Sequence, residues 1–442
     1  MFENHYINKY FNGHRLIKQV YIDPNPLNLP PYTIRLLYQT GTTPTFAKGT
    51  GVQVSQDPNI WDLTYNNSDW SSLLSSHEML LEVLGVNSEN VTNMTNMFEL
   101  CHKLRKVVYF DTSKVTSMNR MFYYCNKLPA VNLYDTSKVT DMDSMFMGCS
   151  ALETLPKYDI SKLSSLYYFC NGCKKLTTIP QLDTSNIVQM SNAFSECDKL
   201  SYIPELNLTK VSSFQNNFAA DYALSGVPDL DLPNVQSLYN NFGNCYSLSS
   251  MRYLNTTKLQ SINRDFNNCT ALTSIDVDTS SVTAINVAFS NCYNLKNISL
   301  TNTNKIKNYQ LAFNNCHKLE EWPLNNTSSA TNMNSAFYCC SSLKSIPLFN
   351  TSKLDMIQDT FNKCLYVESG ALPLFQQLSA QQNVPTYFVN AFKNCGRYTQ
   401  QGYADLQQIP TAWGGLMESD DDSNTGNGGN GNNTPISDGG LN

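Results

Sequence analysis

The chain has 442 residues, 14 cysteines and a formal net charge of −6, with 41% hydrophobic and only 15% charged residues. A chain of this length outgrows one ordinary domain unless a repeat lets a single core grow lengthwise. No basic block gives reason to expect nucleic acid as a partner, and no stretch approaches the roughly 18 consecutive apolar residues of a membrane span. The polar surface must then be built from Asn, Ser, Thr and Tyr. The 25 tyrosines suit a surface that touches other molecules, because each offers a rigid apolar face and one hydroxyl.

Residues 1–87 follow no period. The opening MFENHYINKYFNGHRLIKQV is polar where a secretory signal needs an apolar core, so export by that route is not expected. YTIRLLYQ (32–39), GVQVSQ (51–56) and IWDLTY (60–65) read as strands. SDWSSLLSSHEMLLEVLG reads as a helix capped by Ser68 and closed by Gly85, with Trp70, Leu73, Leu74, Leu80, Leu81 and Leu84 facing the next element. Residues 1–87 are therefore assigned as a small mixed capping and anchoring domain.

From residue 88 to 398 one phrase returns at intervals of mostly 24 residues, about 13 coils in all. Its marker is a cysteine: Cys101, Cys125, Cys149, Cys173, Cys197, Cys245, Cys269, Cys292, Cys316, Cys340, Cys364 and Cys395, with Asp221 filling the one gap. Three residues earlier stands an aromatic (Phe122, Phe146, Phe242), and three later a leucine (Leu128, Leu152, Leu248). A second apolar residue follows three further on, as in Val131, Leu155 and Met251, and a proline often comes next, as in Pro156 and Pro180. One coil cannot bury its apolar residues alone, so stacked coils must bury one another and each column becomes a ladder. Leu-x-x-Ile reads as a strand of two to four residues, kept short by proline, which cannot donate into a ladder. Val139, Met142 and Phe146 are spaced three and four apart, which predicts a short helical or 3₁₀ segment on the opposite side. The fold class is an α/β repeat solenoid.

The phrases MF..C..L..[IL] and DTSKVT.M resemble the BspA-like leucine-rich repeat, found in bacterial and phage surface proteins. The likeness covers about 310 residues and implies a leucine-rich-repeat solenoid used for adhesion, with no catalytic residues to carry over. The flanks, IRLLYQTGTTPTF before the repeat and the SGAL insertion and closing IP..W after it, are similar to repeat proteins of tailed phages and prophages of gut bacteria. That resemblance implies a virion protein of head, collar or tail fibre. It would attach to other virion proteins through its N-terminal region and present the solenoid to a host surface protein or glycan. A bacterial cell-surface adhesin is the alternative, and a purely structural virion component a further one.

The C-terminal end breaks the pattern. SGALPLFQQLSAQ (369–381) reads as an inserted helix, residues 399–416 as a C-terminal cap, and residues 417–442, rich in Gly and Asn, as a disordered tail.

Each side-chain set that suggests chemistry has a structural explanation. One cysteine per coil places neighbouring Cβ atoms about 4.8 Å apart, beyond the roughly 3.5–4.5 Å of a disulfide, so the cysteines read as buried small hydrophobes. Cys170-x-x-Cys173 lacks a second pair at zinc spacing. Asp111, Asp135, Asp159, Asp183, Asp231 and Asp278 share a column with Asn207, Asn255, Asn302, Asn326 and Asn350. That mixture suits turns, whose side chains bond their own backbone, and leaves open whether the column binds calcium. The five histidines share no spacing, and no nucleotide-binding or hydrolase motif occurs. No catalytic, cofactor-binding or metal-ligating residue is assigned, and no enzyme activity is expected.

What varies between coils is where recognition is expected. Flanking the strand anchors are Arg105, Lys106, Tyr109, Glu153, Lys157, Tyr202, Glu205, Asp229, Arg252, Tyr253, Lys296 and Glu320. A second set lies near the Phe–Cys column: Tyr123, Tyr124, Tyr167, Tyr239, Tyr293 and Tyr338.

Overall fold

A computed structural model describes residues 7–12, 15–21, 27–54 and 57–416. The tail expected over 417–442 lies outside the described residues. The first two strands, β1 (Ile7–Asn12) and β2 (Arg15–Tyr21), pair antiparallel as a sheet of their own.

The three strands expected next are present as β3 (Thr33–Tyr38), β4 (Thr50–Gln53) and β5 (Ile60–Thr64). Alternation sets their inner face: Ile34, Leu36 and Tyr38 are buried, and between them Arg35 reaches outward to Asp62 at 2.7 Å. The helix expected over 68–85 is not formed. That segment is itself a coil of the repeat, with Trp70, Leu73, Leu74, Leu80 and Val83 in the places of Met94, Met97, Phe98, Leu104 and Val107, and with His77 in the cysteine column. Its last part is β6 (Leu80–Asn87), which pairs antiparallel with β3 and parallel with β7 (Lys106–Val107). β6 is thus the outer strand of the cap and the first rung of the stack, so no strand edge is left open between them.

The solenoid has two laddered walls. On the strand wall the residues after Leu-x-x pair in parallel. The run is longest at Ser250–Leu254, Ser274–Asp278 and Asn297–Thr301, where Met251 faces Ile275 and Ile275 faces Ile298. These three coils lack a proline after the second anchor. Where Pro180 or Pro204 follows, pairing shrinks to single bridges such as Thr178 to Tyr202, because proline has no N–H to donate.

The opposite wall is not helical. Its N–H groups point along the stack: Met94, Asn96, Phe98 and Leu100 donate to the carbonyls of Ser117, Asn119, Met121 and Tyr123 at 2.8–3.0 Å. Between these rungs the chain closes consecutive tight turns, as in Met97 N to Met94 O at 3.2 Å and Cys101 N to Phe98 O at 3.2 Å. The geometry requires left-handed backbone five residues and one residue before each cysteine, as at Asn96 (φ 55°) and Leu100 (φ 60°), Asn240 (φ 52°) and Asn244 (φ 66°). Asparagine and glycine tolerate this region best, and Gly148 and Gly172 occupy it too. The spacing of Val139, Met142 and Phe146 serves a helix or such a chain of turns equally well, which is why it misled. The turns win because alternate N–H groups reach the next coil while those between them close the turns.

Between the walls lies the core. Phenylalanine rings stack along it, for example Phe122 on Phe146 at 5.8 Å and Phe266 on Phe289 at 5.5 Å, within 4° of parallel. Phe122, Cys125, Leu128, Phe146, Cys149, Leu152, Phe242, Cys245 and Leu248 are all fully buried. Most ladder thiols donate to the carbonyl of the aromatic position one coil back, as in Cys149 to Phe122 O at 3.0 Å and Cys245 to Phe218 O at 3.1 Å. The far end is closed by α1 (Ala371–Ala380), in the expected place, and α2 (Gln400–Gln408), capped by the Thr399 hydroxyl.

Candidate recognition surface

The Asp/Asn column makes turns. Asp111, Asp135, Asp159 and Asn326 each accept the backbone N–H two residues on at 2.9–3.0 Å. The neighbouring threonines do something the sequence did not suggest. Buried Thr112, Thr136, Thr184 and Thr327 donate to a carbonyl of the following coil at 2.8–2.9 Å, fastening the corner of the stack. Lys114 reaches not the aspartates but Asn90 of the preceding coil, at 2.7 Å. Among the described residues no three His, Cys, Asp or Glu side chains converge as metal ligands.

All 14 cysteines are free, and all but Cys339 are buried. Burial holds the ladder thiols well above their ordinary range, which suppresses the thiolate that redox or metal chemistry needs. In the Cys170–Cys173 coil, Cys170 takes the phenylalanine position, and Phe169 fills the ring space edge-on to Phe146 at 73°.

On the strand wall Arg105, Lys106, Glu153, Lys157, Tyr202, Glu205, Asp229, Arg252 and Lys296 are exposed, while Tyr109 and Glu320 are half-buried. Tyr253 is a correction: it is buried, because its ring packs on Phe266 and its hydroxyl bonds Asp265 inside the core. Several of the charges hold one another. Arg105 pairs with Glu82 at 2.8 Å, Arg252 with Asp229, and Lys296 with Glu320 at 3.3 Å. Such exposed pairs contribute little to stability, but they leave this wall with less unpaired charge than its composition implied.

The strand wall opens at one seam. Asn297–Thr301 is the last strand of its sheet, and the next coil offers Trp322 and Pro323 in its place. Here the anchors Ile298 and Trp322 are only half-buried. They line a cleft of about 210 Å³ with Ser274, Asp276, Asn297, Ser299 and Glu321.

The other exposed feature is aromatic. Tyr124, Tyr167 and Tyr239 stand out on the turn wall, and Tyr222, Tyr246 and Tyr293 at its corner with the strand wall. Tyr123 and Tyr338 are half-buried under Arg120 and Lys363, 4.4 and 5.3 Å from the rings. The tyrosine set thus divides into four rings open to a partner and two already covered by cations.

One buried constellation was legible only as a column deviation. Residues 217, 241 and 265, where most other coils carry Met or Ala, are Asn, Asn and Asp, all fully buried. Asn217 N donates to Asn241 Oδ1 at 3.2 Å and Asn241 N to Asp265 Oδ1 at 2.8 Å. The Tyr253 hydroxyl closes the chain on Asp265 Oδ2 at 2.5 Å.

Residues 71–181 and 163–276 match the profile of a Mycoplasma protein family of unknown function, DUF285. Residues 236–368 and 312–410 match the BspA type leucine rich repeat region. Among solved structures the chain is similar to a leucine rich cell surface protein from Faecalibacterium prausnitzii, at 22% identity over 49% of this chain and 59% of that one, TM-score 0.32. It is similar to a leucine-rich repeat protein from Bacteroides ovatus at 16% identity over 75% and 94% of the two chains, TM-score 0.36. It also resembles one from Eubacterium ventriosum at 15% identity over 66% and 83%, TM-score 0.34. No curated protein matches the chain. Together the two profiles run without a break from residue 71 to residue 410: the coils of residues 236–410 match the BspA type leucine rich repeat, and those of residues 71–276 match DUF285.

Proposed function

We propose that the protein is an adhesion module: a solenoid that binds a surface protein or glycan through many non-covalent contacts. The observation that carries this reading is the identity of the large apolar side chains left in water. Tyrosine predominates among them, with Tyr167, Tyr202, Tyr222, Tyr239, Tyr246 and Tyr293 exposed by about two-fifths or more. None of these rings is needed to close the core, and tyrosine suits an interface because its apolar ring is rigid and its hydroxyl stays satisfied.

The finer reading is a phage virion protein at head, collar or tail fibre, joined to other virion proteins through its N-terminal region and turning the solenoid to the host. It rests on the likeness of the flanks to phage repeat proteins. A bacterial cell-surface adhesin is the second reading, and the BspA-type repeat of residues 236–410 supports it equally. Mass spectrometry of purified particles and of the cell-surface fraction separates the two, since the chain should be found in one and not the other. Competition with the full-length protein tests adhesion itself. Saturating protein should block attachment, and unchanged attachment would leave only a structural or decorating role.

A further inference from the structure

The residue after each column cysteine lies in a row at the corner where the turn wall meets the strand wall. The row carries aromatic rings in two pairs of successive coils, Tyr222 with Tyr246 and Tyr293 with His317. Each pair stacks nearly parallel, with centroids 5.2 Å apart at 7° and 5.0 Å apart at 8°. All four rings are exposed. The coil between the pairs contributes Thr270, which has no ring. The row therefore has one ring missing, and Tyr246 and Tyr293 bound a gap of two coil steps, about 10 Å.

The floor and one side of this gap are polar and uncharged. Asn294 Nδ2 donates to the Thr270 carbonyl at 2.8 Å. Beside it runs an amide ladder in which Asn268 Nδ2 reaches Asn244 Oδ1 and Asn291 Nδ2 reaches Asn268 Oδ1, both at 2.7 Å. Each such amide spends one N–H and one lone pair on the ladder and keeps another of each for a ligand.

Thickness and chemistry together select the guest. Carbon atoms touch at about 3.5–4.0 Å, so a flat ring in contact with both walls would need a gap of only about 7–8 Å. A saturated, puckered ring is thicker. It must present C–H bonds to both walls and hydrogen-bonding groups at its rim, which describes a sugar ring. We propose that the Tyr246–Thr270–Tyr293 gap is a slot for one pyranose ring of a neutral saccharide, its faces against the two tyrosines and its hydroxyls on Asn268, Asn291 and Asn294. The Thr270 and Tyr293 coils also supply Ser274 and Asn297 to the cleft on the strand wall, which gives a longer glycan a polar path onward.

This inference rests on the adhesion reading and narrows its target. The test is calorimetric titration of the full-length protein with neutral gluco-, manno-, galacto-, xylo- and chito-oligosaccharides. At least one should bind. Tyr246→Ala, Tyr293→Ala and Thr270→Tyr should each weaken it about tenfold or more, while Tyr398→Ala, at an exposed ring outside the row, leaves it unchanged. Thr270→Tyr inserts a residue the row already holds at three positions, and an unchanged melting temperature confirms that the variant folds. Binding by no oligosaccharide, or undiminished binding by folded Thr270→Tyr, overturns the slot. If wild-type protein still blocks attachment in the competition assay in that case, the slot alone is wrong, whereas failure of wild-type protein to compete removes the adhesion reading as well.

Discussion

The Tyr253 hydroxyl donates to Asp265 across 2.5 Å, and both residues lie in the core. Burial raises the Asp265 carboxyl from 3.8 to about 6, against the hydrogen bonds from Tyr253 and Asn241 that favour its charge. The folded value is above the unfolded one. The protonated form therefore contributes stability that is complete below pH 3.8 and is lost as the pH rises through about 6. The change is on the order of 3 kcal/mol. Asp265→Asn should flatten this dependence. Urea unfolding of both proteins at pH 4.5 and 7.5 checks it, and an equal pH dependence in the two would refute it.

Asp221 occupies a cysteine position with no exposure, and its Oδ1 accepts the Cys197 N–H at 2.8 Å. Its Oδ2 is buried without a partner. Burial, then the charges of Asp198 and Glu196, push this carboxyl well above the usual range. As with Asp265, the stabilising contribution belongs to the acid form and fades as pH rises. Asp221→Cys restores the thiol that elsewhere reaches the preceding coil. The variant should be more stable than the natural protein at pH 7.5, and the gain should shrink towards pH 4. A gain that is flat or grows on acidification would count against this account.

The thiol ladder makes its own prediction. Cys339 is the one cysteine that reaches solvent, and the chain holds 14. A thiol reagent should label at most Cys339 quickly in the folded protein and all 14 after denaturation. Cys149→Ala removes the donor to the Phe122 carbonyl and should cost about 1 kcal/mol. Two or more thiols missing from the denatured count would mean that bridges exist.

Val287 adopts φ 58° at a position where other coils place Asn96, Asn192, Asn216 or Asn240. A β-branched residue in the left-handed region is strained, by about 1–2 kcal/mol. Val287→Asn should therefore raise stability by about 1 kcal/mol. A fall in melting temperature would show that the valine methyls contribute more by packing than the backbone loses.

Much of this was legible in the sequence because a repeat writes each constraint many times. Phe146, Cys149 and Leu152 could be placed in a core without coordinates, since their columns recur in phase. The strand-shortening effect of Pro180 and Pro204 followed from the missing N–H alone. The 68–85 segment was misread because it keeps only the apolar beat of the coil, with His77 for the cysteine and Leu74 for the phenylalanine, and that beat also fits a helix. Tyr253 was misplaced for a different reason. Its column holds exposed Lys157, Glu205 and Asp229 in earlier coils but buried Val277 and Leu300 in the two that follow, and Tyr253 goes with the latter, its hydroxyl on Asp265.

The amino-acid sequence by itself determined the architecture: a stack of coils, and which residues form its core. A period repeated this often leaves one way to bury the same columns. Only the tertiary structure decided what happens between coils that are distant in sequence but adjacent in space. It closed the turn wall with cross-coil hydrogen bonds in place of a helix, set Arg252 against Asp229, buried Tyr253 on Asp265, and left Tyr246 and Tyr293 on either side of Thr270. Those pairings depend on the stacking of neighbouring coils, and no single period records it.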